Sequence, residues 1–305
     1  MLHVRVTAPA EVCSKVVATI ESDPAVANVA VMRGAVGNGS GDLILFDVAR
    51  EAANPVIDML RDHGVLEHGS LSISETSAIL GEATDRAERA APGNPSDGVV
   101  WEEVEDRARA ESRLSWSFLA FLMLATLIAG VGRYLDQPIL IIGAMVVGPE
   151  FAPLSAICVG IVRRRPAIIP RAAITLFGGF AIAIVAAWML WGAASLLGLV
   201  DAETATNGTQ TAFIVKPDIW SFLIALLAGI AGILSITSAK SSALVGVFIS
   251  ITTVPAAETI ALTLAVGAWA EAGASAVQLA VNLLGLLVGG VATLALQRLV
   301  LRRRV

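Results

Sequence analysis

Two glutamates stand beside prolines inside long apolar stretches of this 305-residue chain. Glu150 directly follows Pro149, and Glu258 comes three residues after Pro255. A charged side chain at the centre of a bilayer costs about 2.5–3.5 kcal/mol on insertion scales, so we expect both carboxyl groups to face the protein interior. Each proline also leaves a backbone carbonyl without its helical donor, which provides polar backbone beside each acid. The pattern predicts a site for a cation, a proton or a small polar solute.

Hydroxyl and amide side chains near these acids extend the candidate site. The predicted ligand- or ion-binding residues are Pro149, Glu150, Pro153, Thr252, Thr253, Pro255, Glu258 and Asn282. Kinked helices that contain a protonated glutamate or a hydrogen-bonded threonine also occur as packing devices. This structural interpretation stands beside the functional one.

The sequence lacks the residue patterns of common enzymes and metal sites. It contains no serine, histidine and aspartate order typical of hydrolases, and no HExxH, Walker or zinc-binding spacing. Its two cysteines, Cys13 and Cys158, form no CxxC pair, and we expect no disulfide between them. We therefore expect a protein that is not an enzyme and that has no cofactor, no metal and no nucleic-acid partner. Catalysis by scattered polar residues is the alternative.

Hydrophobic stretches in the C-terminal two thirds predict six membrane spans. Hydrophobic residues make up 56% of the chain and charged residues only 15%. A helix of about 20 apolar residues is long enough to cross the hydrocarbon core. The predicted spans are Trp116–Gly132, Pro138–Val162, Ala172–Val200, Ile219–Ala239, Ser241–Ala270 and Ala272–Gln297. They predict an α-helical polytopic membrane domain over residues 115–305.

Lysine and arginine residues predict the orientation of these spans, because cationic loops resist translocation. With the N-terminus inside, nine of the eleven cations in the membrane domain lie in inner loops or in the C-terminal tail. The outer loops then carry only Arg133 and Lys216. The N-terminus has no apolar secretory signal, so we expect it to stay in the cytoplasm. The sequence predicts a multi-pass protein of the cell inner (plasma) membrane with both termini cytoplasmic.

Residues 1–80 have the pattern of a small α+β domain. Strands are predicted at Leu2–Thr7, Val26–Val36, Leu43–Val48 and Ser70–Ser74, and helices at Ala10–Ile20 and Pro55–His63. The resulting β-α-β-β-α-β order predicts a cytosolic ferredoxin-like domain, an arrangement that regulatory ACT-type domains share. Residues 81–114 are interpreted as a breaker-rich linker at Gly81–Gly98, followed by an amphipathic helix at Val100–Arg113.

Similar segments in the two halves of the membrane domain suggest an internal repeat. Leu127–Val131 resembles Leu226–Ile230, and a span that contains proline follows each segment. Since each half contains three spans, the halves must have opposite orientations, as in transporters built from inverted repeats. The spacing from glycine to proline is 19 residues from Gly130 to Pro149 but 26 from Gly229 to Pro255. Chance similarity of apolar segments therefore competes with a true 3+3 inverted repeat.

Three motifs resemble those of a known membrane family. They are Gly143-Ala144-Met145 followed by Gly148-Pro149, the stretch from Gly246 to Pro255, and Leu279-Ala280-Val281-Asn282-Leu283-Leu284-Gly285. Over residues 115–297 the chain resembles the domain of unknown function 389 family of bacterial and archaeal membrane proteins. Members of this family often carry a soluble N-terminal extension. The resemblance implies a hydrophobic membrane fold and no established activity.

These observations predict a transporter or channel-like protein for a small solute or ion. In this interpretation the cytosolic domain binds a metabolite and regulates the membrane domain, and the chain forms a homo-oligomer, either a dimer or a trimer, within the lipid bilayer. The alternative is a membrane-anchored sensor or scaffold whose cytosolic domain binds a small metabolite or nucleotide.

Overall fold

The computed structural model describes residues 1–37, 41–76, 79–91, 93–94, 98–211, 214, 218–238 and 252–302, with side chains up to residue 300. The chain divides into two compact units. The first contains Met1–Val104 and carries a small antiparallel sheet. The second begins at Glu105 and contains the long apolar helices.

The first unit is built on four strands. Its main elements are β1 (Leu2–Pro9), α1 (Ala10–Ile20), β2 (Val26–Val36), β3 (Gly41–Val48), α2 (Ala53–Asp62), α3 (Val65–His68), β4 (Ser70–Glu75) and α4 (Glu82–Ala90). The strands lie in the order β2-β3-β1-β4, and every neighbouring pair is antiparallel. Each strand and helix predicted from the sequence in residues 1–80 overlaps an element of the same type.

Alternation along the strands places the core of this unit on one face of the sheet. Val4 and Val6 of β1 and Ile44 and Phe46 of β3 are buried, because alternate residues of a strand point to the same face. Apolar residues of α1 and α2 belong to the same core cluster. A shift of one residue in register would expose this set, so the hydrophobic pattern specifies the pairing.

The segment interpreted as a linker contains the helix α4. Its sequence is rich in alanine, glutamate and arginine, which favour helix. Ala87 of α4 is buried, and α4 packs against β2 within the first unit. Residues 92 and 95–97 of the predicted linker lie outside the described residues.

The second unit is helical. The helix α5 (Trp101–Glu111) begins in the last residues of the first unit and ends in the second. The remaining elements are α6 (Trp116–Tyr134), α7 (Pro138–Val147), α8 (Phe151–Val162), α9 (Ile168–Leu196), α10 (Ala202–Thr206), α11 (Ile219–Thr237), α12 (Thr253–Ala265) and α13 (Trp269–Arg302). The helix α9 contains one π-helical turn at Ile174–Gly178. The predicted amphipathic helix at Val100–Arg113 corresponds to α5.

Four of these helices, α6, α9, α11 and α13, are long and apolar enough to cross a membrane. The pair α7 and α8 passes the same test together but bends by 51°, which raises the number of candidate spans to five. The 13 residues of α12 make a helix of about 20 Å, shorter than the roughly 30 Å core. Part of the predicted fifth span, residues 239–251, lies outside the described residues. The chain is therefore a membrane protein, and the number of six spans stays a prediction.

Proline causes the break between α7 and α8. Pro149 has no N–H to continue α7, and it disfavours helical geometry in the residue before it. Gly148 accordingly has an extended backbone, with φ −63° and ψ 128°. The interruption predicted at this position from the sequence is present, and it places Glu150 at the N-cap of α8.

The same four residues occur near the starts of α6 and α11, as the first four residues of α6 and the second to fifth of α11. Trp116-Ser117-Phe118-Leu119 and Trp220-Ser221-Phe222-Leu223 are identical runs, and both helices are 19 residues long. Each start is capped: Ser115 accepts a hydrogen bond from the Phe118 N–H at 3.1 Å, and Asp218 accepts one from the Ser221 N–H at 2.7 Å. This repeat is a sequence signal that the comparison of the two halves missed.

The loop between α6 and α7 is tied to the segment that follows α10. Asp136 accepts hydrogen bonds from the backbone N–H groups of Thr209, Gln210 and Thr211 at 3.0–3.1 Å. Arg133 is buried and donates to the Thr211 hydroxyl at 2.5 Å. These contacts join two connections that are more than 70 residues apart in the chain.

Candidate ion- or solute-binding site

Glu150 reaches across the helical unit to the start of α12. Its side chain is 3% exposed, and Oε1 accepts a hydrogen bond from the Thr253 hydroxyl at 2.6 Å. Glu150 caps α8 by position, and Thr253 is the first residue of α12. The N-termini of the two short helices therefore meet at this hydrogen bond.

The second carboxyl oxygen of Glu150 is buried and has no hydrogen-bond partner among the described residues. Gly148 provides the room for it, since a Cβ at this position would overlap Oε2 and crowd Val254. A buried acceptor without a partner carries a desolvation cost of about 1–3 kcal/mol. Such an atom is available to a proton or to a ligand that enters the site.

A chain of amide and hydroxyl groups continues from α12 to α13. Asn282 donates to the Thr252 hydroxyl at 2.8 Å, and Gln278 donates to the Asn282 carbonyl oxygen at 3.3 Å. Thr252 precedes Thr253, so this chain lies next to the bond with Glu150. The Oε1 atom of Gln278 is also buried without a partner in the described part of the chain. Sequence reasoning missed Gln278, although its spacing of four residues from Asn282 puts both on one helix face.

Glu258 lies in a different environment. It is completely buried in α12, and its Oε1 accepts a hydrogen bond from the indole Nε1 of Trp191 in α9. Gly130 of α6 lies against this pair, because a Cβ there would overlap the Glu258 carboxyl group and the Trp191 ring. Oε2 of Glu258 has no partner among the described residues. Sequence analysis identified Gly130 only as a repeat position and did not identify Trp191.

Glu150 contacts one face of α12, and Glu258 projects from a different face of the same helix. Thr253, which binds Glu150, and Glu258 are five residues apart, which is about 140° of rotation and 7.5 Å of rise on an ideal helix. Glu150 lies against the first turn of α12, which contains Pro255. The carboxyl group of Glu258 instead accepts its hydrogen bond from Trp191 of α9. The structure thus brings Glu150, Thr252, Thr253 and Asn282 together and places Glu258 on another face.

The predicted prolines occupy matching positions at the two helix starts. Pro153 is the third residue of α8, and Pro255 is the third residue of α12. A proline in the first turn leaves no helical bond unmade, because the N–H groups there have no partner within the helix. These prolines therefore define where each short helix begins, and Pro149 ends the helix before it.

Both acids can hold a proton or a cation. Within the described residues, the ion pairs include neither Glu150 nor Glu258. A buried carboxylate without a countercharge is costly, so the neutral acid or a carboxylate with a bound cation is the stable form. The described residues contain no group of three or more histidine, cysteine, aspartate or glutamate side chains that could hold a metal ion.

Comparison with known proteins identifies the region that carries this site. Residues 145–288 match the family described as "Domain of unknown function (DUF389)". The chain is 30% identical over 169 residues to the "Uncharacterized protein MJ0678" of Methanocaldococcus jannaschii, and the match covers 55% of this chain. It covers 50% of that protein, so this chain spans about half the length of the relative. No solved structure matches the chain.

The family match confirms the resemblance carried by the glycine, proline and asparagine motifs. It covers a shorter region than the motifs suggested, residues 145–288 in place of 115–297. All eight predicted site residues, together with Trp191 and Gln278, lie inside it. The chain therefore resembles the DUF389 family over residues 145–288, which make up just under half of its length.

Proposed function

We propose that this protein is a transporter or channel-like protein for a small solute or ion, and that its site lies where α8 and α12 begin. The hydrogen bond between Glu150 and Thr253 carries the proposal, because it joins the starts of the short helices α8 and α12, one from each half, at a buried carboxyl group. Secondary transporters bind substrates and coupling ions where discontinuous helices of two repeats meet. The proposal assigns no chemical reaction to the chain.

Reciprocal packing of the two short helices supports an inverted repeat. From the second half, α12 packs against α6 and α9 of the first half. From the first half, α8 packs against α13 of the second. The Phe151 ring of α8 also lies against Gly232 of α11. Each short helix therefore contacts the long helices of the opposite half, as a twofold axis in the membrane plane would require.

We further propose six spans, with both termini on the cytoplasmic side of the inner (plasma) membrane. The equal lengths of α6 and α11, and the Trp-Ser-Phe-Leu run within the first five residues of each, support equivalent first helices in two repeats. An odd number of spans in each repeat reverses their orientation. The excess of lysine and arginine in the proposed inner loops supports an orientation with both termini in the cytoplasm.

The first unit is proposed to be a ferredoxin-like, ACT-like domain that regulates the membrane domain by binding a cytosolic metabolite. The β-α-β-β-α-β order and the strand order β2-β3-β1-β4 support this fold. The proposed partners are the lipid bilayer, a small solute or ion, and further copies of the chain in a dimer or trimer.

Electrical recording on proteoliposomes tests the proposed transport. The full chain is reconstituted, and currents are measured after concentration jumps of inorganic ions, amino acids and carboxylates, with a pH dye to follow protons. We expect a current or a proton flux in the wild type. In the double variant Glu150→Gln, Glu258→Gln we expect it to fall at least about tenfold, which corresponds to about 1.4 kcal/mol.

An exposed acid provides the matched control. Glu203 lies at the surface in α10, so Glu203→Gln should leave the flux unchanged. Wild-type flux in the double variant would overturn the proposed site.

The sensor alternative gives a different result. A metabolite or nucleotide that raises the melting temperature of the full chain, but not that of a chain without residues 1–100, would favour a sensor if no solute produces flux. A ligand that changes an existing flux would instead support the regulatory role.

A further inference from the structure

A groove of about 440 Å³ lies between the end of α8 and the last turns of α13. Ile161 and Val162 of α8 and Ala295 and Leu299 of α13 provide its apolar lining. Its volume lies within the range of about 300–1,000 Å³ that is typical of small-molecule sites. It involves none of the residues of the proposed transport site.

Two arginines line the same groove. The Arg298 guanidinium donates a hydrogen bond to the Val162 carbonyl at the end of α8, which holds the side chain in place. The guanidinium of Arg164 is exposed and makes no ion pair or hydrogen bond within the described residues. By contrast, its neighbours Arg163 and Arg165 bind Glu105 at 2.6 and 2.9 Å. Arg164 thus gives the groove a positive charge that has no ion-pair partner in the described part of the chain.

The surface around the groove is aliphatic and faces outward. Ile161 is 46% exposed, and Leu296 and Leu299 of α13 are 63% and 60% exposed. Because α13 is apolar enough to span a membrane, this outward-facing surface lies at one end of a candidate span, where lipid chains and headgroups are both near. A ligand that fits must therefore have a long apolar part and a negatively charged group at one end.

We propose that the groove binds one acyl chain of an anionic phospholipid, and that Arg164 and Arg298 hold its phosphate group. Guanidinium groups bind phosphate through paired, charge-assisted hydrogen bonds, and basic pockets between transmembrane helices are a recurring form of lipid headgroup site. The apolar lining accepts the chain of any phospholipid. The arginines provide the selection for a negative headgroup.

Native mass spectrometry of the full chain in a neutral detergent tests this site. The protein is titrated with dioleoyl-phosphatidylglycerol and, separately, with dioleoyl-phosphatidylcholine. We expect wild-type protein to retain phosphatidylglycerol preferentially. Arg164→Gln should weaken that binding about tenfold, because it removes charge-assisted hydrogen bonds to the phosphate group.

Two further variants test the apolar lining of the groove and the specificity of the arginine effect. Ala295→Phe fills the apolar lining without removing an arginine, and it should also weaken phosphatidylglycerol binding. Arg171→Gln removes an exposed arginine of α9 that does not line the groove, and it should bind like the wild type.

Three results would overturn the proposal. The first is equal retention of the two lipids by the wild type. The second is unchanged phosphatidylglycerol binding in both Arg164→Gln and Ala295→Phe. The third is displacement of the lipid by millimolar inorganic phosphate, which would identify a site for free anions instead.

Discussion

The indole Nε1 of Trp191 donates a hydrogen bond to the buried carboxyl group of Glu258, 67 residues further along the chain. This bond joins α9 to α12 inside the helical unit. Gly130 of α6 completes the contact, because only a residue without a Cβ fits against the pair. Three helices therefore meet around one acidic side chain.

Trp191→Phe should destabilise the helical unit. The substitution keeps an aromatic ring but removes the only donor that Glu258 has within the described residues, which leaves a buried carboxyl group unpaired. We expect a loss of about 1–3 kcal/mol, measured as a lower unfolding midpoint in detergent. Trp188→Phe on the same helix is the control, because Trp188 is 46% exposed. Equal effects of the two substitutions would contradict the role of the bond.

Gly130→Ala should lower the stability of the helical unit, whereas Gly143→Ala should not. The new Cβ at position 130 would overlap the Glu258 carboxyl group and the Trp191 ring, whereas a Cβ at position 143 would meet no atom within 4 Å. Overpacking of this kind costs about 1–3 kcal/mol. Thermal unfolding of the two variants in the same detergent compares them directly, and a stable Gly130→Ala protein would show that α6 can move away from the pair.

Thr253→Val should show whether the hydrogen bond between Glu150 and Thr253 serves function or only packing. Valine has nearly the same shape as threonine but cannot donate to Glu150, so we expect a stability loss of about 1–3 kcal/mol and a reduced flux. Thr253→Ser keeps the hydroxyl group and should retain both properties. Should Thr253→Val lower the unfolding temperature without changing the flux, the bond would serve packing alone.

Asp136→Ala should lower stability at neutral pH but not in acid. Desolvation acts to raise the pKa of Asp136, but hydrogen bonds from the Gln210 backbone and from the Thr211 hydroxyl and backbone outweigh it and lower the pKa. A carboxyl group with a lowered folded-state pKa stabilises the fold above its unfolded pKa of about 3.9 and loses that effect as pH falls through the folded value.

The measurement for this loop is thermal unfolding from pH 7 down to pH 3. The difference between wild type and Asp136→Ala should stay constant above about pH 5 and shrink below about pH 4. Glu203→Gln, an exposed acid in α10, should show no such difference. A difference between wild type and Asp136→Ala that does not depend on pH would mean that the charge of Asp136 does not matter.

Local sequence patterns were sufficient to predict much of the backbone. Alternating residues located β1 and β4, because a strand that is buried on one face shows a period of two. Pro149 located the break between α7 and α8, because proline removes the donor that the next turn needs. Composition was less reliable at Gly81–Gly98, where a segment interpreted as a linker contains α4.

The sequence by itself determined that Glu150 and Glu258 are buried, because both lie in long apolar stretches, where a charged side chain that faces lipid is costly. Only the tertiary structure decided that Glu150 binds Thr253 while Glu258 binds Trp191, and that the two acids face different sides of α12. Partners 67 and 103 residues apart are chosen by the rotation and packing of whole helices. Neither spacing nor composition contains that information.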